Sequence, residues 1–213
     1  MKGVMFILGV MILASCGDTS EQSREQDLSD GQDTSSYQVE ESVPKHALLT
    51  TYDLKTGTSL VVVEKKKSAS RSLITVQGSG FSESQQVLTF RNVNPIESAE
   101  VHDLDGDGYE EVYIITRSTD PALYGSIIGV ASVKDKTYEP IIFPELEEGD
   151  PNFGGYKGLD RFRFAAGRLL RDIPIYRPKD PIRNPTGGVR ILAYDLERTD
   201  NGLELVVQRS SEH

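Results

Sequence analysis

From His46 to the C-terminus, no long stretch repeats its apolar residues about every 3.6 positions, as a buried helix would require. Short runs rich in Val, Ile, Tyr and Phe recur instead, mostly five to eight residues long. The runs are 47–52, 59–65, 71–77, 86–90, 97–101, 112–117, 126–133, 138–143, 161–165, 169–176, 189–196 and 203–208. Turn formers separate them, among them Lys55-Thr56-Gly57, Gly78-Ser79-Gly80, Asp120-Pro121, Asn184-Pro185 and Asp200-Asn201-Gly202. Alternation is clearest at Arg161-Phe162-Arg163-Phe164, where successive side chains of an extended chain must face opposite ways. Ala166-Gly167 then reads as a hairpin turn, as does Asp200-Asn201-Gly202. Many short strands at even spacing predict an all-β fold, a single-domain antiparallel β-sandwich over residues 46–213. The two long irregular stretches, 144–159 and 177–188, read as surface loops.

The N-terminus gives an address. Lys2 precedes an apolar run, Val4 to Leu13, that is too short to span a bilayer as a helix. Leu13-Ala14-Ser15-Cys16 follows and resembles the lipobox of bacterial lipoproteins, in which the cysteine is acylated and becomes the mature N-terminus. The alternatives are an ordinary signal peptide and an uncleaved anchor. Cys16 is the only cysteine, so an intrachain disulfide is excluded. The reading is a lipoprotein signal peptide over 1–15 and an acylated Cys16 opening a disordered acidic tether over 16–45. Membrane attachment is by the N-terminal lipid, and the location is the bacterial cell envelope, periplasmic or outer-membrane face. Gly17 to Lys45 hold eight acidic residues against two basic, whereas residues 46–213 hold 25 against 20. The acidity therefore belongs largely to the tether, and neither part has the basic footprint of a nucleic-acid binder.

One loop is built like a cation ligand. In the segment Asp103 to Glu111, carboxylates recur at alternate positions, Asp103, Asp105 and Asp107, with Glu111 at position nine. Gly106 and Gly108 permit left-handed turns that point such side chains at one centre. An oxygen set of this kind suits Ca²⁺. The alternative is a metal-free turn whose aspartates cap backbone N–H groups. It is not an EF-hand, because position 12 is Ile114 and no helix is expected on either side. Ca²⁺ is the one cofactor considered.

The chain carries no sign of a catalytic set. Its three histidines, His46, His102 and His213, lack metal-ligand spacing, and there is no nucleophile elbow or phosphate loop. We expect a protein that binds and does not catalyse. The cluster Arg161, Arg163, Arg168, Arg171 and Arg177 reads as a solvated face balanced by Asp160, Asp172 and Asp180.

Several segments in order are similar to the periplasmic inhibitors of i-type (invertebrate) lysozymes. These are the acidic turn running into Glu111-Val112-Tyr113-Ile114-Ile115-Thr116-Arg117-Ser118, the loop closing on Tyr124-Gly125-Ser126, and then Pro144-Glu145-Leu146, Gly158-Leu159-Asp160-Arg161-Phe162, Pro174-Ile175-Tyr176 and Gly187-Gly188-Val189-Arg190. The resemblance implies a β-sandwich that inhibits by seating a loop, here 118–126, in a lysozyme cleft and offering hydroxyls to the catalytic carboxylates. Its tyrosine falls on Tyr124 and its glycine on Gly125, while its serine position holds Pro121. The hydroxyls left in the loop are those of Ser118, Thr119 and Tyr124, so the expected lysozyme-binding residues are Ser118, Thr119, Tyr124 and Gly125. The partner is then a lysozyme, i-type favoured, or another cell-wall-associated protein. The other reading is a non-catalytic envelope lipoprotein whose calcium-type loop serves protein or wall binding.

Overall fold

A computed structural model of the chain describes residues 47–213. The expected signal peptide, the acylation site at Cys16 and the acidic tether lie outside the described residues. Among those described, no helix is long and apolar enough to cross a membrane.

The fold is all-β, with twelve strands among the described residues: β1 (Ala47–Asp53), β2 (Ser59–Lys66), β3 (Ser72–Ser79), β4 (Val87–Val93), β5 (Ile96–His102), β6 (Glu111–Arg117), β7 (Gly125–Val133), β8 (Thr137–Ile142), β9 (Arg161–Ala165), β10 (Arg168–Pro174), β11 (Val189–Thr199) and β12 (Gly202–Glu212). They form a four-stranded sheet in the order β1-β2-β3-β4 and an eight-stranded sheet in the order β5-β6-β7-β8-β12-β11-β10-β9. Every pairing is antiparallel except that of β8 with β12, a short parallel joint through Leu203↔Ile141 and Glu204↔Ile142. The antiparallel runs β5–β8 and β9–β12 meet at this joint through their last strands.

Side-chain alternation explains two cores where the sequence pattern suggested one. On β6, Val112 and Ile114 face the four-stranded sheet and pack with Leu60, Val62, Ile74 and Val76. Tyr113 and Ile115 face the other way, into a second core with Leu169, Ile173, Leu192, Tyr194 and Leu205, enclosed as the eight-stranded sheet curls on itself. β6 and β7 are buried on both faces and so read as nearly continuous apolar runs.

The hairpins set the polarity of the sandwich. The β2–β3 tip, the β4–β5 connection and the β6–β7 loop lie at one end. Arg71 Nη1 donates to Asn94 Oδ1 at 2.8 Å, and Arg117 N donates to Pro95 O at 3.0 Å. The buried Glu64 of β2 joins the sheets there, accepting from Ser72 Oγ at 2.6 Å and from Ile96 N at 3.1 Å. The β1–β2 turn and the acidic loop lie at the opposite end, where Lys55 N donates to Glu110 Oε2 at 2.7 Å. At the β9–β10 hairpin, Ala166 and Gly167 take φ values of 52° and 71°, the left-handed pair a two-residue turn requires.

Candidate functional site

The acidic loop joins β5 to β6. Its carboxylates cap the turn: Gly108 N donates to Asp103 Oδ2 at 3.1 Å, Asp107 N to Asp105 Oδ1 at 3.1 Å, and Tyr109 N to Asp107 Oδ1 at 2.8 Å. Glu111 is buried at the start of β6, accepting from Leu104 N at 2.9 Å and from the Tyr113 hydroxyl at 3.1 Å. The same four residues also converge, with one oxygen from each lying within 4.8 Å of the others. That spacing fits oxygens about 2.3–2.6 Å from a common Ca²⁺. The donor set is all oxygen, as a hard cation prefers, and Asp103 Oδ1 is buried without a hydrogen-bond partner. The residues present therefore fit a cation, and the capping and ligating readings are compatible in one loop.

Crowding shows in the titration of this group. Burial, with the charges of Asp105 and Asp103 beside it, pushes the Glu111 carboxyl up to about 8 from an ordinary value of 4.5. Asp105 is raised too, first by burial and then by Asp107 and Asp103. A carboxyl raised on folding contributes its full stability below its unfolded value and loses that contribution as pH climbs to the folded value. Metal-free protein is thus expected to lose stability, on the order of a few kcal/mol, as pH rises from 4.5 to about 8. Ca²⁺ should oppose the loss, because it favours the ionised form. In thermal melts, millimolar Ca²⁺ should raise Tm by about 5 °C or more at pH 8 and by less at pH 5.5. Asp105→Ala should abolish the increment, and identical melts with and without Ca²⁺ would remove the cation.

The β6–β7 loop is closed at its neck by a reciprocal pair. Ser118 N donates to Tyr124 O at 2.8 Å, and Tyr124 N donates to Ser118 Oγ at 2.8 Å. Asp120 Oδ1 caps the tip, accepting from Ala122 N at 2.8 Å and Leu123 N at 3.2 Å. Ala122 turns inward, and its carbonyl accepts from Leu159 N at 2.7 Å. A Cβ on Gly158 would stand 2.1 Å from the Ala122 oxygen, so glycine is what permits this contact. Gly125 is buried against Phe162, where a Cβ would lie 2.7 Å from Cε2. Thr119 is exposed, and Tyr124 is 40% exposed with its ring edge-on to Tyr156, centroids 5.7 Å apart.

Beneath the loop lies a buried polar network. Asp160 and Arg171 are both fully enclosed, with Arg171 Nε donating to Asp160 Oδ2 at 2.8 Å. The Tyr156 hydroxyl donates to Asp160 Oδ2 at 2.9 Å, and Arg171 Nη2 donates to that hydroxyl at 2.9 Å. The guanidinium also lies 5.3–5.5 Å from the ring centroids of Phe143, Tyr156 and Phe162. Burial by itself would depress Arg171, but the Asp160 charge, the Tyr156 and Tyr194 hydroxyls and the hydrogen bond to Asp160 together outweigh it and hold the guanidinium above its ordinary value. Tyr156 is raised by burial and by the same carboxylate. Three hydrogen bonds tie this network to the loop. Gly125 N donates to Asp160 Oδ1 at 3.3 Å, and Arg117 Nη1 bridges Asp160 O and Leu123 O, each at 2.9 Å.

Of the residues expected from sequence, Asp103, Asp105, Asp107 and Glu111 meet at one end, and Ser118, Thr119, Tyr124 and Gly125 share the loop at the other. Tyr156 was not anticipated, and the solvated face expected for the arginine cluster is wrong for two of its members, the fully buried pair Asp160 and Arg171. The period-two pattern of β10 held a signal for the last, since Leu169, Arg171 and Ile173 share one face and both apolar neighbours are fully buried. The balanced arginine face holds in part: Arg163 pairs with Asp172 at 3.0 Å and Arg168 with Asp195 at 2.6 Å. His102 stacks on Phe164 with centroids 4.0 Å apart and bonds Glu100. A cleft of about 990 Å³ adjoins the loop, lined by Glu97, Arg117, Leu123, Arg161, Phe162 and Arg183.

No protein-family model matches the chain, and neither a curated protein nor a solved structure matches it.

Proposed function

We propose that this chain is a lipid-anchored inhibitor that seats loop 118–126 in the active-site cleft of a lysozyme, i-type favoured. The observation that carries the reading is the standing of Tyr124, half out of the surface on a loop tied down at its neck, tip and base. A ring held this way loses little conformational freedom on binding, and tyrosine is among the residues that dominate interfaces. The Ser118 oxygen is used as an acceptor within the loop, which leaves its hydroxyl proton, with those of Thr119 and Tyr124, to donate to a carboxylate. The protein acts by occupying a cleft and performs no chemistry of its own. The test is lysis of a cell-wall suspension by i-, c- and g-type lysozymes with the chain at micromolar concentration. Suppression of i-type lysis is expected, and full lysis by all three classes would contradict the proposal.

The envelope location rests on Cys16. Cells fed a clickable palmitate should label the protein, and Cys16→Ala should lose the label; an unlabelled wild type would refute acylation. A second reading is favoured by the unpartnered Asp103 Oδ1: the acidic loop binds Ca²⁺ and thereby stiffens the β5–β6 connection for protein or wall binding.

A further inference from the structure

The chain is acidic, yet the end of the sandwich that carries loop 118–126 gathers cations. Lys65, Lys66, Lys67 and Arg71 crowd the β2–β3 tip, and Arg91 follows on the adjacent β4. Among the described residues, none of the five has a carboxylate within salt-bridge distance, and all but Lys65 are exposed. The tip is joined to the loop through a short series of contacts. Arg71 holds Asn94, and the next residue, Pro95, accepts from the N–H of Arg117, where the loop begins. On the loop's other side the cleft holds Arg161 and Arg183, also without a carboxylate partner, but there Arg117 is paired with Glu97, and Glu100 and Asp172 balance the lining, so the cationic surface is the hairpin tip.

The opposite end has the reverse character. There Asp103, Asp105, Asp107 and Glu111 converge, and of the nearby cations Lys55, Lys136 and Arg198 are paired, with Glu110, Glu83 and Glu139, which leaves Lys134 alone, among the described residues at that end, without a carboxylate partner. Opposite charges therefore sit at opposite ends of one sandwich. Unpaired cations held side by side on a hairpin repel one another and gain nothing for folding. Their field extends about a Debye length, roughly 8 Å at physiological salt.

We propose that this cationic end is a second contact surface of the same binding site, fitted to a partner protein whose surface around the cleft is acidic. The inference rests on loop 118–126 being the element that enters the partner, and it adds a selection rule. Acidic clefts are approached quickly and held in register, while strongly basic lysozymes are repelled at the rim. Asp120, the carboxylate within the loop itself, has one oxygen committed to two backbone N–H groups, which draws its charge toward the turn.

Two measurements on the mature chain carrying Cys16→Ser test this. In the first, poly-L-glutamate is titrated into isotopically labelled protein at about 0.15 M salt, close to physiological screening. Amide shifts should concentrate at residues 65–71, at Arg91 and across 118–124, and should vanish at about 1 M salt. Shifts absent, or spread equally over Lys55 and Lys136, would overturn the inference whether or not any lysozyme is bound. In the second, Lys66→Glu/Lys67→Glu should slow association with an inhibited lysozyme about tenfold and leave dissociation nearly unchanged. Equal association rates would likewise overturn it. A wild type that inhibits no lysozyme refutes the proposed function, and the polyglutamate result then decides the cationic end alone.

Discussion

Asp160→Ala is expected to destabilise the protein by about 3–5 kcal/mol and to lower Tm by about 10 °C. The cost comes from the charge left behind. Arg171 is fully enclosed among Phe143, Tyr156 and Phe162, and its Nη1 already lacks a partner. Removing the one carboxylate that compensates it strands a cation in an apolar site. The same substitution releases the Tyr156 hydroxyl and the amide of Gly125. Arg171→Met should be costly for the mirror reason, leaving Asp160 buried. The double variant Asp160→Leu/Arg171→Met should cost less than the two singles together, because the pair is removed whole and replaced by apolar volume. Chemical denaturation followed by circular dichroism measures all of these. A single-variant cost under about 1 kcal/mol would mean the pair does not hold this region together.

Tyr124→Ala should behave in the opposite way. Its ring is 40% exposed and touches the body edge-on at Tyr156, so the loss of stability should be modest. The expected effect is on binding. A tyrosine anchor that fills a desolvated pocket is worth about 2 kcal/mol or more, a weakening of roughly 30-fold or greater. Tyr124→Phe keeps the ring and loses only the phenol. It should recover most of the affinity if packing dominates, and little of it if the hydroxyl bonds a catalytic carboxylate. Asp160→Ala supplies the contrast, since it leaves Tyr124 in place but loosens what holds it. A fall in affinity for both variants, with stability lost only in the second, is the signature of an anchor on a braced loop.

The strands were readable because alternation is a local property. Arg161 to Phe164 show it directly, and the hairpin after them needed only Ala166-Gly167. The apolar runs of β6 and β7 gave their positions but not their surroundings. Val112 and Tyr113 are adjacent in sequence and belong to different cores, a division that depends on how the eight-stranded sheet curls. The parallel joint of β8 with β12 brings Ile141 against Leu203, and no turn chemistry announces a contact at that separation.

The two loops were legible for different reasons. Alternating aspartates are a local pattern, so convergence at the β5–β6 turn followed from spacing alone. Tyr124 and Gly125 were identified by resemblance, and why they stand as they do was hidden. Gly125 is glycine because Phe162 covers it, and the loop is held by Asp160, 35 residues further on. Asp160 lies two residues before Phe162 and four before Phe164, on the face those rings bury. Read for its phase, that alternation would have placed both Asp160 and Arg171 inside.

Inhibition requires loop 118–126 to enter the cleft of its target. The most direct measurement is titration calorimetry of the mature chain into an i-type lysozyme, alone and with its cleft filled by a chitooligosaccharide. We expect binding to the free enzyme and its loss when the saccharide is present. Equal binding in both conditions would contradict the claim.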